Sequence, residues 1–301
     1  MKKQLILAAA ALALAACSND ENLNDGPVAI RLSSSLEVQT RAASGIQGSA
    51  FDEGEQVDVF ITEDAQTPTT TYPQPLTYTT GTGGAMTPSV QPYFPTSGED
   101  VNIYAYYPAN TVKDMNESAE DVTFTVEADQ RTDASYKASD LMFGMAANPV
   151  SRQSSAIPVT FRHLLSKITV NLTSGDGNPS LDGATVSLMN VRLDAQLTPS
   201  DGTVAEGTGT QDESVTVTTG TGGSAIIPVQ TVASGKQFIQ VQLQTGGNLY
   251  YTLPQNATFQ GGKVYTYNIK VNLTDLEVTS SITDWTTDGD YFGDSNGEAN
   301  M

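Results

Sequence analysis

Cysteine, histidine and tryptophan are nearly absent, with one of each in 301 residues. A single cysteine excludes internal disulfides and zinc sites of the Cys-rich kind. A single histidine argues against a multi-histidine metal site and a Ser-His-Asp relay, so we predict no catalytic residue, metal or cofactor. Basic residues are also scarce, 14 against 34 acidic ones, and the net charge is −20. That charge disfavours nucleic acid and anionic lipid as partners.

A long hydrophobic run is also missing. The apolar stretch 5–14 follows Lys2 and Lys3 and is shorter than the roughly 20 residues of a membrane-spanning helix. It ends in Leu-Ala-Ala-Cys, a sequence that resembles the lipobox of bacterial lipoproteins, with Cys17 as the lipid-bearing residue. We therefore predict a signal peptide over 1–17 and a surface-exposed lipid anchor in the outer membrane. The alternative is an ordinary secretory signal with a chance cysteine.

The remainder lacks a sustained helical pattern and consists of short runs with a period of two, bounded by Gly, Pro, Asn or Asp. The clearest runs lie at 56–61, 103–107, 122–127, 168–172, 215–217, 238–243 and 264–271. About a dozen such strands predict an all-β protein of two β-sandwiches. The hexapeptide Thr-Thr-Gly-Thr-Gly-Gly occurs at 79–84 and 218–223, as two similar turns or as the trace of a duplicated domain. A segment without apolar periodicity, 147–155, marks the expected boundary.

The N-terminal segment 18–41 combines a polar tether with a strand. Alternate positions of this strand are apolar at Val28, Ile30, Leu32, Leu36 and Val38. The residues between them are mostly polar, so one face is expected to be buried and the other solvated. Small residues follow Arg41 and Ala42, and exposed segments of this kind are where proteases cut. The alternative is an ordinary edge strand and loop.

Cleavage between Arg41 and Ala42 would make this strand removable. Each apolar side chain that leaves the core carries about 1.5–3 kcal/mol of transfer free energy. The groove left behind would expose unpaired backbone groups and could accept a strand from another chain.

Five blocks of sequence occur in a characteristic order. They are FDEGEQVDVF at 51–60, VNIYAYYP at 101–108, DQ with Tyr136 and SDLMFG at 129–144, FRHLLSKITVNL at 161–172, and the segment from Gly262 to Trp285 with Tyr265 and Tyr267. Together, behind a lipobox, they resemble the fimbrillin family of Bacteroidetes, the subunits of type V pili.

The resemblance implies two tandem transthyretin-like antiparallel β-sandwich domains, here 42–152 and 153–301. It also implies export as a lipoprotein, cleavage after Arg41 by an arginine-specific surface protease, and assembly into a cell-surface fimbrium by strand exchange with other fimbrillin subunits. In the family, the opened groove receives a C-terminal strand from the neighbouring subunit. No receptor is indicated.

The C-terminal tail, 286–301, departs from this pattern. Its sizeable apolar residues before Met301 are Tyr291 and Phe292, too few for a donor strand. We therefore predict a tip or accessory subunit. The acidic residues between 288 and 298 miss the EF-hand spacing and indicate a solvated tail.

Four further groups of residues are candidates for a functional role. His163 is interpreted as structural, and Ser166 and Asp140 lack a second histidine with which to form a relay. The pair Asp129-Gln130 is interpreted as a domain-packing element, with a turn as the alternative. Of the tyrosines at 104, 106 and 107, two are expected in the core and one could stack on a sugar. This leaves an alternative function, a monomeric surface lipoprotein that binds glycans.

Overall fold

The computed structural model describes residues 26–36, 51–63, 72, 74–115, 121–219 and 222–285. Within these ranges the chain is all-β, as predicted, with one short helix, α1 (Asp133–Ala138), and a 3₁₀ turn at Thr82–Gly84. The strands of the first half are β1 (Leu32–Leu36), β2 (Gln56–Glu63), β3 (Leu76–Thr80), β4 (Ala85–Pro88), β5 (Val101–Tyr107), β6 (Val122–Thr125), β7 (Met142–Met145) and β8 (Ile157–His163).

The strands of the second half are β9 (Ser166–Ser174), β10 (Thr185–Val191), β11 (Asp194–Thr198), β12 (Thr203–Glu206), β13 (Glu213–Thr219), β14 (Gly222–Ile227), β15 (Gln230–Val232), β16 (Gln237–Leu243), β17 (Gly247–Thr252), β18 (Ala257–Phe259), β19 (Lys263–Val271) and β20 (Leu276–Asp284). No helix in the described part of the chain is long and apolar enough to span a membrane.

Seven strands of the first half form one closed, barrel-like sheet in the order β1-β4-β3-β2-β5-β7-β8. Two separate sheets were the prediction for this half; instead, β1 pairs with both β4 and β8 and joins the two ends of the sheet. Residues such as Val57, Val59 and Ile61 of β2 point into its core, in keeping with the alternation in the sequence.

The second half contains two four-stranded sheets, β13-β10-β16-β17 and β14-β9-β19-β20. Both contribute to one apolar core, with Ile168 and Val170 from β9 and Phe238 and Val241 from β16. In the second sheet, β9 and β19 run parallel over their whole register, so the sheet is mixed.

A third layer connects the two halves. It contains the small sheet β12-β11-β6, which combines a strand from the first half with two from the second. The layer covers the outer face of β2 and β5, which explains why Phe60 and Tyr106 are buried there. The predicted division between 152 and 153 falls between β7 and β8, which are neighbours in the closed sheet. The division into two domains stays a prediction.

Gln130, which follows β6, bonds to the edge strand β14 of the second half. Its amide nitrogen donates to the Ile226 carbonyl at 2.7 Å, and its amide oxygen accepts from the Ile226 N–H at 2.8 Å. β14 is the edge of its sheet on this side, so Gln130 occupies backbone groups that an adjacent strand would otherwise bond. Of the predicted packing pair Asp129-Gln130, Gln130 makes this contact, whereas Asp129 is exposed and pairs with Arg131.

Candidate functional site

The candidate site is the space that β1 occupies, which we call the strand slot. Its walls are β4 with residues 91–94 on one side and β8 on the other. Leu32–Leu36 run parallel to Ile157–Phe161 of β8. On the opposite side, Leu32 and Ser33 pair antiparallel with Met86 and Ala85. Without β1, the described part of the closed sheet would have two free edges facing each other.

Backbone hydrogen bonds extend the slot beyond the strand itself. The N–H of Ile30 donates to the Pro92 carbonyl at 2.9 Å, and the N–H of Phe94 donates to the Val28 carbonyl at 2.9 Å. On the β8 side, the N–H of Ile157 donates to the Arg31 carbonyl at 2.8 Å. The segment 28–36 is therefore held by ladder bonds on both sides, although not at every residue.

The side chains of this segment alternate between core and solvent. Ile30, Leu32 and Leu36 are 0%, 4% and 3% exposed and lie in the apolar core of the closed sheet. Val28 is half-buried and packs against the same core. Arg31 and Ser35 are exposed, so the strand presents one apolar and one polar face.

Gly84 lies against the middle of β1 at the turn Thr82–Gly84. Its φ of +79° belongs to the left-handed region, and a Cβ there would lie 2.4 Å from the Ser34 carbonyl oxygen. The Ser34 hydroxyl in turn donates to the Gly84 carbonyl at 3.3 Å. Glycine therefore allows the turn and β1 to approach each other closely.

The remaining predicted site residues, Cys17, Val38, Arg41 and Ala42, lie outside the described residues. Their assignment to lipidation, to the removable strand and to cleavage stays a prediction.

A buried cluster joins the end of β20 to the first half of the chain. The imidazole of His163 stacks on the Trp285 ring, with centroids 3.8 Å apart and planes at 7°. Its Nδ1 lies 2.8 Å from Asp140 Oδ1, and Lys167 Nζ lies 5.7 Å from the Trp285 centroid. Burial lowers the pKa of Lys167, and the nearby Asp140 carboxylate opposes that shift.

This cluster has the features of a packing element. Ser166, which the sequence places near His163, donates to the Gln260 carbonyl at 2.8 Å. Both Asp140 and His163 are buried, at 1% and 4% exposure. No group of three or more potential metal ligands occurs among the residues that the structure covers.

The three tyrosines of the 101–108 block do not form an exposed platform. Tyr106 and Tyr107 are buried, and their hydroxyls donate to the Pro199 carbonyl at 2.8 Å and to Glu55 Oε2 at 3.0 Å. Tyr104 is half-buried and stacks on Phe143.

Two residues that shape the slot, Gln91 and Gly84, are not apparent from the sequence as slot residues. The Gln91 side chain donates to the Ile30 carbonyl at 2.9 Å, and Gly84 makes room for Ser34. Gly84 lies in the repeated Gly-rich hexapeptide at 79–84. The contact of Gly84 with Ser34 of β1, however, joins residues 50 positions apart in the chain, and the hexapeptide does not indicate it.

Comparisons with known proteins agree with this architecture. A family model described as fimbrillin-like matches residues 40–285. A Bacteroides uniformis protein that bears the name fimbrium subunit Fim1C is 28% identical over 306 residues, which cover 95% of this chain and 96% of that protein.

Two solved structures share the fold. A Bacteroides ovatus protein crystallised under the name of a cell adhesion protein has a TM-score of 0.69 at 18% identity, covering 87% of this chain and 99% of its own. A Bacteroides uniformis protein of the same description has a TM-score of 0.65 at 23% identity, covering 87% and 100%. With the match to residues 40–285, these findings show that the chain belongs to the fimbrillin-like family of cell-surface fimbrial subunits.

Proposed function

We propose that this fimbrial subunit is assembled by strand exchange at the strand slot. In this proposal the chain is exported as a lipoprotein acylated at Cys17, and an arginine-specific surface protease cuts it between Arg41 and Ala42. The released segment leaves the slot, and a strand of another fimbrillin subunit takes its place. The observation that carries the proposal is the position of β1 between β4 and β8, where it closes the sheet.

The energetics favour replacement over an empty slot. Loss of Ile30, Leu32 and Leu36 would remove about 1.5–3 kcal/mol of transfer free energy for each side chain. The backbone groups of β4 and β8 that β1 now pairs would also face each other unpaired. Adjacent strands lie about 4.8 Å apart, so the gap would be about 10 Å wide, the width that one strand fills.

The slot defines the strand that it would accept. An incoming strand in the place of β1 would run parallel to β8 and antiparallel to β4. It would present apolar side chains at the positions of Ile30, Leu32 and Leu36 and polar ones at Arg31 and Ser35. This is β-augmentation with pockets for alternate side chains.

We also propose that the chain folds as two tandem transthyretin-like units, 42–152 and 153–301. The separate apolar cores around β2 and around β9 and β16 support two units, although β8, which follows residue 153, contributes Ile157, Val159 and Phe161 to the first core.

We further propose that the chain is a tip or accessory subunit. The tail 286–301 has only Tyr291 and Phe292 as large apolar residues before Met301, against three buried apolar side chains in β1 and its lead-in. The tail is therefore a poor match for a slot of this kind. Such a subunit would accept a strand and donate none well.

The test is the N-terminus of the chain in fimbriae sheared from a Bacteroidetes host that carries a tagged copy. We expect the fimbrial fraction to begin at Ala42. Arg41→Ala should keep the chain at Cys17 and out of the fimbrial fraction, whereas Arg131→Ala, an exposed arginine paired with Asp129, should behave as wild type. Cys17→Ser should lose metabolic labelling with palmitate. Incorporation of uncleaved chains into fimbriae would overturn the proposal.

A further inference from the structure

A cavity of about 310 Å³ opens between β17 and β20, the edge strands of the two four-stranded sheets. It lies in the second half of the chain, whereas the strand slot belongs to the closed sheet of the first half. Residues that line it include Tyr251, Leu253, Gln255, Asn256, Tyr267 and Ser280.

The lining is uncharged. None of the described residues around the cavity is Asp, Glu, Lys, Arg or His, although the chain as a whole carries 34 acidic residues. An ionic ligand would find no counter-charge there. A neutral ligand, by contrast, would meet amide and hydroxyl groups together with aromatic rings.

Tyr267, one of the lining residues, carries a buried hydroxyl without a partner in the part of the chain that the structure describes. Tyr267 is 1% exposed, and its hydroxyl oxygen has no hydrogen-bond partner among the described residues. Burial raises the pKa of this phenol, so at neutral pH the hydroxyl is uncharged and can both donate and accept. Unsatisfied buried polar groups are rare because each costs free energy, and a ligand hydroxyl would satisfy this one.

An aromatic ring and an anchored amide also line the cavity. The half-buried ring of Tyr251 lies 6.2 Å from the Tyr267 ring, centroid to centroid. Asn256 is exposed, and its amide oxygen accepts from the Ser234 N–H at 2.9 Å, which holds the side chain in place.

We propose that this cavity binds a neutral saccharide. The apolar face of a sugar ring would lie on Tyr251, and ring hydroxyls would bond with the Tyr267 hydroxyl and the amides of Gln255 and Asn256. Its volume stands at the small end of ligand sites, so the ligand is a mono- or disaccharide unit. The subunit would thereby carry an adhesive site that works with the strand slot filled by either strand.

Binding is measured on the purified, uncleaved protein by saturation-transfer NMR and calorimetry. The probes are glucose, galactose, mannose, N-acetylglucosamine and lactose, with glucuronate as the charged comparison. At least one neutral sugar should bind saturably, and glucuronate should not. Tyr251→Ala should weaken binding about tenfold, the loss expected for one aromatic contact. Tyr250→Ala is the matched control, since Tyr250 is the adjacent residue, is 39% exposed and bonds Gln240.

Tyr267→Phe separates ligand binding from folding. It removes only the hydroxyl, so sugar affinity should fall about threefold to tenfold, while Tm stays equal or rises. A fall in Tm would mean that the hydroxyl serves the fold, and would overturn its assignment to the ligand. Absence of saturable binding by all five neutral sugars, or equal binding by Tyr251→Ala and wild type, would overturn the site.

Discussion

Gly84 shows how a single residue adapts the fold to the strand that fills the slot. Its backbone lies in the left-handed region, and the space that a Cβ would need is occupied by the Ser34 carbonyl oxygen at 2.4 Å. Gly54 has a similar φ, +88°, but a Cβ there would meet nothing within 4 Å. The two glycines therefore share a backbone cost and differ in the contact with β1.

Alanine substitutions of these two glycines give a matched pair of predictions. Gly54→Ala should lower the free energy of unfolding by about 1–2 kcal/mol, the cost of a left-handed residue with a side chain. Gly84→Ala should lower it by a further 1–3 kcal/mol, roughly the cost of overpacking. Denaturant unfolding of the uncleaved proteins measures both. Equal losses of unfolding free energy in the two variants would show that the contact with β1 adds no cost at position 84.

At the scale of elements, the sequence predicted strands better than it predicted their partners. The alternation at Ile30, Leu32 and Leu36 is a local property, and these residues are buried as the pattern requires. That β1 would bond β8 in parallel, and β4 on its other side, depends on residues far away in the chain, for which a single sequence carries no local signal. The closure of the first sheet was missed for this reason.

The burial of both faces of β2 was not predicted, for a related reason. The pattern of β2 predicts one buried face, but its outer face is also covered, and Phe60 is fully buried there. The covering layer comes partly from the second half of the chain. In the same way, His163 was recognised as structural, but its stacking partner Trp285 lies at the far end of the described chain.

A substitution of Gln130 tests the contact between β14 and the segment that follows β6. Gln130→Ala would leave both backbone groups of Ile226 without their present partners at a buried edge of β14. Each unsatisfied group costs about 1–3 kcal/mol, so the free energy of unfolding should fall by about 2–6 kcal/mol. Gln196→Ala, which removes a partly exposed side chain paired with Thr123, should change it by less than about 0.5 kcal/mol. A loss below 1 kcal/mol for Gln130→Ala would contradict this account of the edge.

At the scale of the whole molecule, the proposed strand exchange pairs a slot for a strand with a tail whose sequence is poorly suited to fill one. The purified protein, cut between Arg41 and Ala42, should therefore remain monomeric in size-exclusion chromatography with light scattering. A copy whose tail 286–301 is replaced by the sequence of residues 26–41 should instead form oligomers after cleavage, because it then carries a fitting strand. Polymers of the cut protein with its own tail would refute the tip or accessory role.

The central claim, that β1 is replaceable, is tested most directly by peptide binding to the cut protein. A fluorescent peptide with the sequence of residues 26–41 is added after digestion and removal of the released segment, and anisotropy is followed. We expect saturation at one peptide per subunit, no binding to the uncut protein, and no binding of a peptide in which Ile30, Leu32 and Leu36 are replaced by Ser. If the cut protein keeps its fold and binds neither peptide, or if the two peptides bind equally, the slot does not exchange its strand.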